Sequence, residues 1–169
     1  RTAFAGRNFE YYSEDGVLSG DIAASAIQGA QAHGVYAYMK HFALNDQETN
    51  RCSFLLTFAS EQTIREGYLK AFELATKGFE GKAMAVMSSF NYIGNCWAGG
   101  CSELLEDVLR GEWGFKGFVE TDYFGVYGYM NADQAIRNGT DLMLVNYATE
   151  ANDMKYTETA GAQQKLRQS

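Results

Sequence analysis

GFVETDY, residues 117–123, is the stretch whose reading decides the fold. Gly117, Phe118, Val119, Glu120 and Thr121 suit a buried strand, and they lead to a carboxylate, Asp122, and an aromatic ring, Tyr123. Irregular, glycine-rich sequence follows in GVYGYMN. In a parallel α/β protein, reactive groups sit at the C-terminal ends of strands, where a rigid support meets a loop open to solvent. Asp122 there is a candidate nucleophile, general base or metal ligand. As plain structure it would cap the next turn or helix. Position alone leaves both readings standing.

Working outward, the same alternation repeats on both sides. Upstream, residues 102–110 read as a helix that buries Leu104, Leu105, Val108 and Leu109. KAMAVMS, residues 82–88, reads as a strand ending in SSFN. Residues 60–77 form a helix capped by Ser60, with Ile64, Tyr68, Leu69, Phe72 and Leu74 on one face and Gly78 past its end. Residues 35–42, VYAYMKHF, are a short aromatic strand closing on Lys40 and His41. The polar loop ALNDQETNRCSF, residues 43–54, follows it and is long enough to be functional. Residues 18–33 are a helix, with Ser19 as its N-cap and Gly34 as its stop. Downstream come a short helix over 132–138 stopped by Gly139, a fourth strand DLMLV over 141–145, and a polar tail from Glu150, helical or frayed.

Strand and helix thus alternate roughly every thirty residues, which predicts a parallel sheet with helices packed on it. Four strands fall short of a closed eight-stranded barrel, which takes about 250 residues. The expectation is a single α/β domain over residues 1–169, either a small open sheet or part of a (β/α)8 barrel. A half-barrel leaves two strand edges and an apolar interior uncovered. That favours pairing with another copy or with sequence outside these residues.

The totals narrow the partners. A chain of 169 residues with 46% hydrophobic and 21% charged residues can bury a real core. Its net charge of −7 disfavours nucleic acid and anionic membrane surfaces. No apolar run is long enough to span a bilayer, and Arg1 opens no signal-peptide pattern, so the chain reads as soluble, from a cytoplasmic or secreted parent. The start at Arg1 rather than Met reads as that of a fragment or a processed piece. Cys52, Cys96 and Cys101 show no metal-site spacing and read as structural or incidental thiols. No proline occurs, where average usage is about 5%. No cofactor and no metal is called for.

Three strand ends line up in this topology: Lys40 and His41, Phe90 and Asn91, Asp122 and Tyr123. A cation, an imidazole, a carboxylate and aromatic faces on one rim suit a neutral, hydroxyl-rich small molecule. Charged groups bond its hydroxyls, and rings stack on the apolar face of a sugar. The plainer alternatives are a solvated strand end for Lys40 and His41, a helix-dipole contact for His33, a surface ion pair for Arg7 and Glu10, and a turn-holding role for Glu112.

GRNFEYYSED, KHFALNDQETNR, SEQTIREGYLKAFE, VMSSFN, LLEDVLRGEWGFKGFVETD and NGTDLML, in that order from Gly6 to Leu144, together resemble the N-terminal barrel domain of glycoside hydrolase family 3, the β-glucosidase-type group. The resemblance implies that Asp122 is the catalytic nucleophile of a retaining hydrolysis of terminal β-linked sugars. It implies that Arg7, Lys40 and His41 bind the terminal sugar. Phe90 stands where the family has a tyrosine beside the nucleophile, and Tyr123 where it usually has tryptophan. The KHFALNDQETNR loop looks like the glucosidase branch rather than the N-acetylglucosaminidase branch. SEDG at Gly16 and LKAFE at Ala71 stand where the family has proline.

The resemblance takes the acid/base Glu from a later domain, and a sugar-binding aspartate from earlier strands, neither among these residues. The isolated chain is therefore expected to be inactive. The partners expected are a small carbohydrate and the missing barrel half with its C-terminal domain. The alternative is a non-catalytic sugar-binding or self-associating half-barrel. A flavodoxin-like regulator with Asp122 as phosphoacceptor has only the strand-end Asp in its favour. A cation such as Lys40 is expected to hold the Asp122 pKa low.

Overall fold

The computed structural model describes residues 2–78, 82–124 and 129–145. Helix α1 (Gly16–Gln31) leads into strand β1 (Tyr38–Phe42), and a long loop carries the two-residue strand β2 (Leu56–Thr57). A helical stretch follows in two parts, α2 (Glu61–Thr63) and α3 (Lys70–Lys77), joined by the widened turn Ile64–Tyr68. In that turn the Leu69 N–H donates to the Ile64 carbonyl five residues back, at 2.8 Å. Next come β3 (Ala85–Ser88), the hairpin β4 (Tyr92–Ile93) and β5 (Cys96–Trp97), the helix Glu103–Glu112, β6 (Phe118–Glu120) and α4 (Ala132–Arg137).

The main sheet has the order β1-β3-β6, all parallel, pairing Met39 with Val86 and Val86 with Val119. The expected fourth strand joins through two parallel bridges, Glu120 to Leu142 and Phe124 to Val145, supported by the Thr121 N–H donating to Leu142 O at 2.9 Å. β2, β4 and β5 form a second small sheet that the sequence pattern did not announce. The polar tail from Glu150 lies outside the described residues. Among the described residues no helix is long and apolar enough to cross a membrane.

One face of the main sheet is closed. Met39, Val86 and Val119 pack with Ile27 of α1, Ala75 of α3 and Leu104, Leu105, Val108 and Leu109 of the helix Glu103–Glu112. Burial of the larger of these side chains stabilises each by about 1.5–3 kcal/mol relative to exposure. α1 approaches α3 closely because Gly20 has no side chain, since a Cβ there would lie 2.6 Å from Leu74 Cβ. The opposite face is open. Tyr38 and Phe118 meet edge to face at 5.2 Å, and Val35, Tyr36, Leu142 and Val145 stand exposed beside them.

The N-cap of α1 needs correction. Asp15, not Ser19, accepts the Val17 and Leu18 N–H groups at 2.8 and 3.0 Å. Ser19 lies inside the helix and donates its hydroxyl to Ser13 O. The helix starts before its apolar periodicity does, so the pattern placed its first turn too late. Ser60 does cap the next helix, accepting from Thr63 N at 3.2 Å. Glu112 binds structure rather than chemistry, forking with Arg65 at 2.7 and 2.9 Å.

β6 is held at its start by a clasp. Arg110 donates to the carbonyls of Gly117 and Gly139 at 3.1 and 3.0 Å and to Asp141 Oδ2 at 2.7 Å. The same Asp141 oxygen accepts the Val119 N–H at 2.7 Å. Gly117 passes so close to β3 that a Cβ would sit 2.1 Å from the Met84 carbonyl oxygen. Gly117→Ala is therefore expected to cost about 1–3 kcal/mol in urea unfolding. Gly29→Ala, in an exposed helical position with nothing within 4 Å, should add about 0.5–1 kcal/mol. Equal midpoints for the two variants would contradict this account of the β3–β6 approach.

Candidate active site

Parallel strands β1, β3 and β6 deliver their C-terminal ends to one rim, which carries Lys40 and His41, Phe90 and Asn91, and Asp122 and Tyr123. The peptide bonds Lys40–His41 and Phe42–Ala43 are both cis, and the β1–β3 register shifts between Met39 and Phe42.

Asp122 is the centre of this rim. It is 8% exposed, and its Oδ1 accepts the Tyr123 N–H at 2.7 Å. Its Oδ2 is buried without a hydrogen bond and lies 3.5 Å from His41 Nε2. The His41 ring is buried and fixed from its other side, with Nδ1 2.6 Å from the Tyr11 hydroxyl. Tyr11 arrives from the segment before α1, so one side chain from outside the sheet orients the imidazole that faces the carboxylate.

The cations form a chain around this pair. Lys40 Nζ lies 2.7 Å from Glu10 Oε2, and Glu10 also bonds Arg7. Arg7 reaches Glu48 at 3.9 Å, and Arg51 pairs with the same Glu48 oxygen at 3.3 Å. The Arg51 guanidinium stacks over the Phe90 ring with 4.8 Å to its centroid, and its Nη1 is buried without a hydrogen bond. The expected surface pair of Arg7 and Glu10 thus exists, but as part of this half-buried network. Burial alone would raise the Glu10 pKa, yet hydrogen bonds from Lys40 and Arg7 draw it down to about 2.

Lys40 does not set the ionisation of Asp122 as expected. Burial pushes the Asp122 pKa up, against the Tyr123 amide and the weaker pull of Arg51, Arg7 and Lys40. The sequence shows which cations are near but not how far the carboxyl is removed from water, and desolvation wins. Glu120, two residues earlier, is also raised, first by burial and further by the Asp122 charge.

Each residue named from sequence has its place. Lys40, His41, Arg7 and Asp122 belong to one charged cluster, and Phe90 and Tyr123 join the aromatic group of Trp97, Phe124 and Tyr129 beside it. Asn91 is structural: its amide donates to Ala43 O at 3.1 Å and Thr57 Oγ1 at 3.2 Å, tying the rim to the loop. Sequence reasoning missed Arg51, Tyr11 and Glu48. All three sit in quoted segments, GRNFEYYSED and KHFALNDQETNR, but on loops where periodicity says nothing of direction. Also missed was Asn45, a buried amide with neither Oδ1 nor Nδ2 hydrogen-bonded.

A cavity of about 890 Å³ reaches the rim from the side of α1 and α3. Glu10, Tyr11, Lys40, His41 and Asn45 line it, and Asp122 does not. The cavity therefore marks the open flank of β1 more than the surroundings of Asp122. The charge network and the unsatisfied atoms of Asp122, Arg51 and Asn45 locate the site better.

The comparisons with known proteins agree along the chain. The family description "Glycosyl hydrolase family 3 N terminal domain" matches residues 1–168. Beta-glucosidase B of Emericella nidulans is 46% identical over 143 residues, 84% of this chain and 16% of that protein. A beta-glucosidase of Ruminococcus albus is 44% identical over 119 residues, 70% of this chain and 12% of that protein. Among solved structures, beta-glucosidase 3B from Thermotoga neapolitana in complex with alpha-D-glucose superposes with TM-score 0.86 at 40% identity, covering 98% of this chain and 23% of that one. The Bifidobacterium adolescentis GH3 beta-glucosidase gives TM-score 0.81 at 32% identity over 96% of this chain and 23% of that one. The chain thus spans under a quarter of these relatives' lengths.

The ionisation of Asp122 has a measurable sign. Its folded pKa lies above the unfolded value, so the stability tied to its protonated form is complete below the ordinary carboxylate range. That stability is lost as pH rises through the folded pKa. Asp122→Asn should consequently melt at a higher temperature than the parent at neutral pH, with the gap closing as pH falls into the acid range. Thermal melts of both proteins across that window check it, and a variant less stable at neutral pH would reverse the assignment.

Proposed function

The chain belongs to glycosyl hydrolase family 3, and on that premise we propose that it is the nucleophile-bearing part of the N-terminal barrel domain of a β-glucosidase-type enzyme. The reaction is retaining hydrolysis of a terminal β-linked sugar from glucosides and oligosaccharides. One observation carries this: Asp122 holds a buried oxygen with no hydrogen bond, facing an oriented imidazole and ringed by arginine and lysine.

The roles follow from that geometry. Asp122 Oδ2 attacks the anomeric carbon, and the bond to the leaving oxygen breaks, giving a glycosyl-enzyme that water later hydrolyses. His41 and Lys40 hold hydroxyls of the terminal sugar, with Arg7 and Arg51 as further donors. Tyr123 and Phe90 provide aromatic walls. A sugar whose hydroxyls lie against Lys40 and Arg51 presents its anomeric carbon to Asp122, and developing positive charge there favours the ionised carboxylate.

The acid/base carboxyl of a retaining enzyme stands about 5–5.5 Å from the nucleophile. We assign it to a later segment of the whole enzyme, consistent with the 16% of the Emericella nidulans protein that this chain spans. The chain alone should then fail to turn over an ordinary aryl β-glucoside. A fluorosugar with a dinitrophenyl leaving group needs no acid, so it should still label the chain, and peptide mapping should find the label on Asp122. Asp122→Asn should take up none. Label on another residue of the parent, or brisk turnover by the chain alone, would overturn the assignment.

A second reading rests on the open face of the sheet. We propose that these residues form about four strands of a barrel, leaving β1 at one edge, residues 141–145 at the other, and Val35, Tyr36, Tyr38, Leu142 and Val145 in solvent between them. Such a half-barrel self-associates when its other half is absent. Sedimentation of the isolated chain should show a mass that rises with concentration, and a monomer at all concentrations would count against it.

A further inference from the structure

Outside the charged rim, the turn after β5 gathers a second set of reactive side chains. Cys96 stands on β5, the tight turn Ala98–Gly100 reverses the chain, and Cys101 and Glu103 follow at the start of the helix Glu103–Glu112. Their ligand atoms, two sulfurs and a carboxylate oxygen, all lie within 4.8 Å of one another. Cys101 Sγ donates to Glu103 Oε2 at 3.5 Å, and Cys96 Sγ donates to Gly100 O at 3.5 Å. Cys96 is half-buried, Cys101 buried and Glu103 exposed, so the group has a closed back and a solvent side.

We propose that Cys96, Cys101 and Glu103 form a binding site for a zinc-class divalent cation, with water in the fourth position. The donor set is that of a borderline-soft ion, two thiolates and one carboxylate. Tetrahedral zinc with Zn–S of about 2.3 Å and Zn–O of about 2.0 Å holds sulfur and oxygen about 3.5 Å apart. The Cys101–Glu103 pair already has that separation.

Supporting groups hold the donors in place. The Ser102 hydroxyl donates to Glu103 Oε2 at 3.2 Å, fixing the carboxylate. Gln134 Nε2 and Asn138 Nδ2 both donate to Gly100 O, at 3.2 and 2.7 Å, and Thr140 Oγ1 donates to Gly99 O at 2.8 Å. The turn between the two cysteines is thereby pinned to α4 and the residues after it. On binding, the two thiols release their protons to solvent, and the ion's two positive charges meet three negative ligands. Contrary to the reading from sequence, the four residues separating Cys96 from Cys101 fall within the C-x2–4-C spacing of zinc sites, and the turn Ala98–Gly100 brings the two sulfurs together.

The test is a cobalt(II) titration of the chain kept reduced with a phosphine. A thiolate-to-cobalt charge-transfer band should grow to an end point of one ion per chain, and zinc should abolish it. Cys96→Ser, a half-exposed change that the fold tolerates, should weaken cobalt binding by at least tenfold, and Glu103→Gln by about 10–100-fold. Cys52→Ser should bind as the parent does. No charge-transfer band, or a band that survives Cys96→Ser and disappears in Cys52→Ser, would overturn the site.

Discussion

Withdrawal of one carboxylate from water is the condition around which the rest of the rim is arranged. Asp122 is buried, short of one hydrogen bond, and disfavoured as an anion by its surroundings. An isolated buried charge of this kind is not tolerated without compensation at a distance. Arg7, Lys40 and Arg51 supply it, but none of them is spent on Asp122 alone. Each is shared with Glu10 or Glu48, so the site keeps its cations near without neutralising the carboxylate outright. On the function proposed above, a group held in this state gains most from a partner that brings hydroxyls and a developing positive centre.

The fold makes that arrangement by parallel strand pairing. β1, β3 and β6 run the same way, so three separate segments present their ends together, though they lie some forty residues apart in sequence. His41 and Asp122 meet across the ends of strands that are not direct neighbours, with β3 between them. The loop from β1 then brings Glu48 and Arg51 back over Phe90, while Asn91 ties that loop to the rim through Ala43 O.

The three paired strands were legible because each is a short run of apolar residues closed by polar ones, and buried parallel strands carry that signature. Asp122, Lys40 and His41 were legible because they end those runs. β2 and the β4–β5 hairpin were not, since two-residue strands pair through backbone groups and impose no side-chain period. The true cap of α1, Asp15, was hidden because its helix begins ahead of its apolar face. Arg51 and Tyr11 act from loops, where only folding decides direction. The upward shift of Asp122 was misjudged because burial is a property of the folded surface, not of any string of letters.

The clasp of Arg110 and Asp141 has a further consequence. It grips main-chain atoms of Gly117, Val119 and Gly139 at the foot of β6, below Asp122 on the same run of chain. The height of Asp122 above the sheet is thus fixed from below, by main-chain contacts indifferent to whatever side chains crown the rim. Side chains on the rim can therefore change without moving the backbone that carries Asp122.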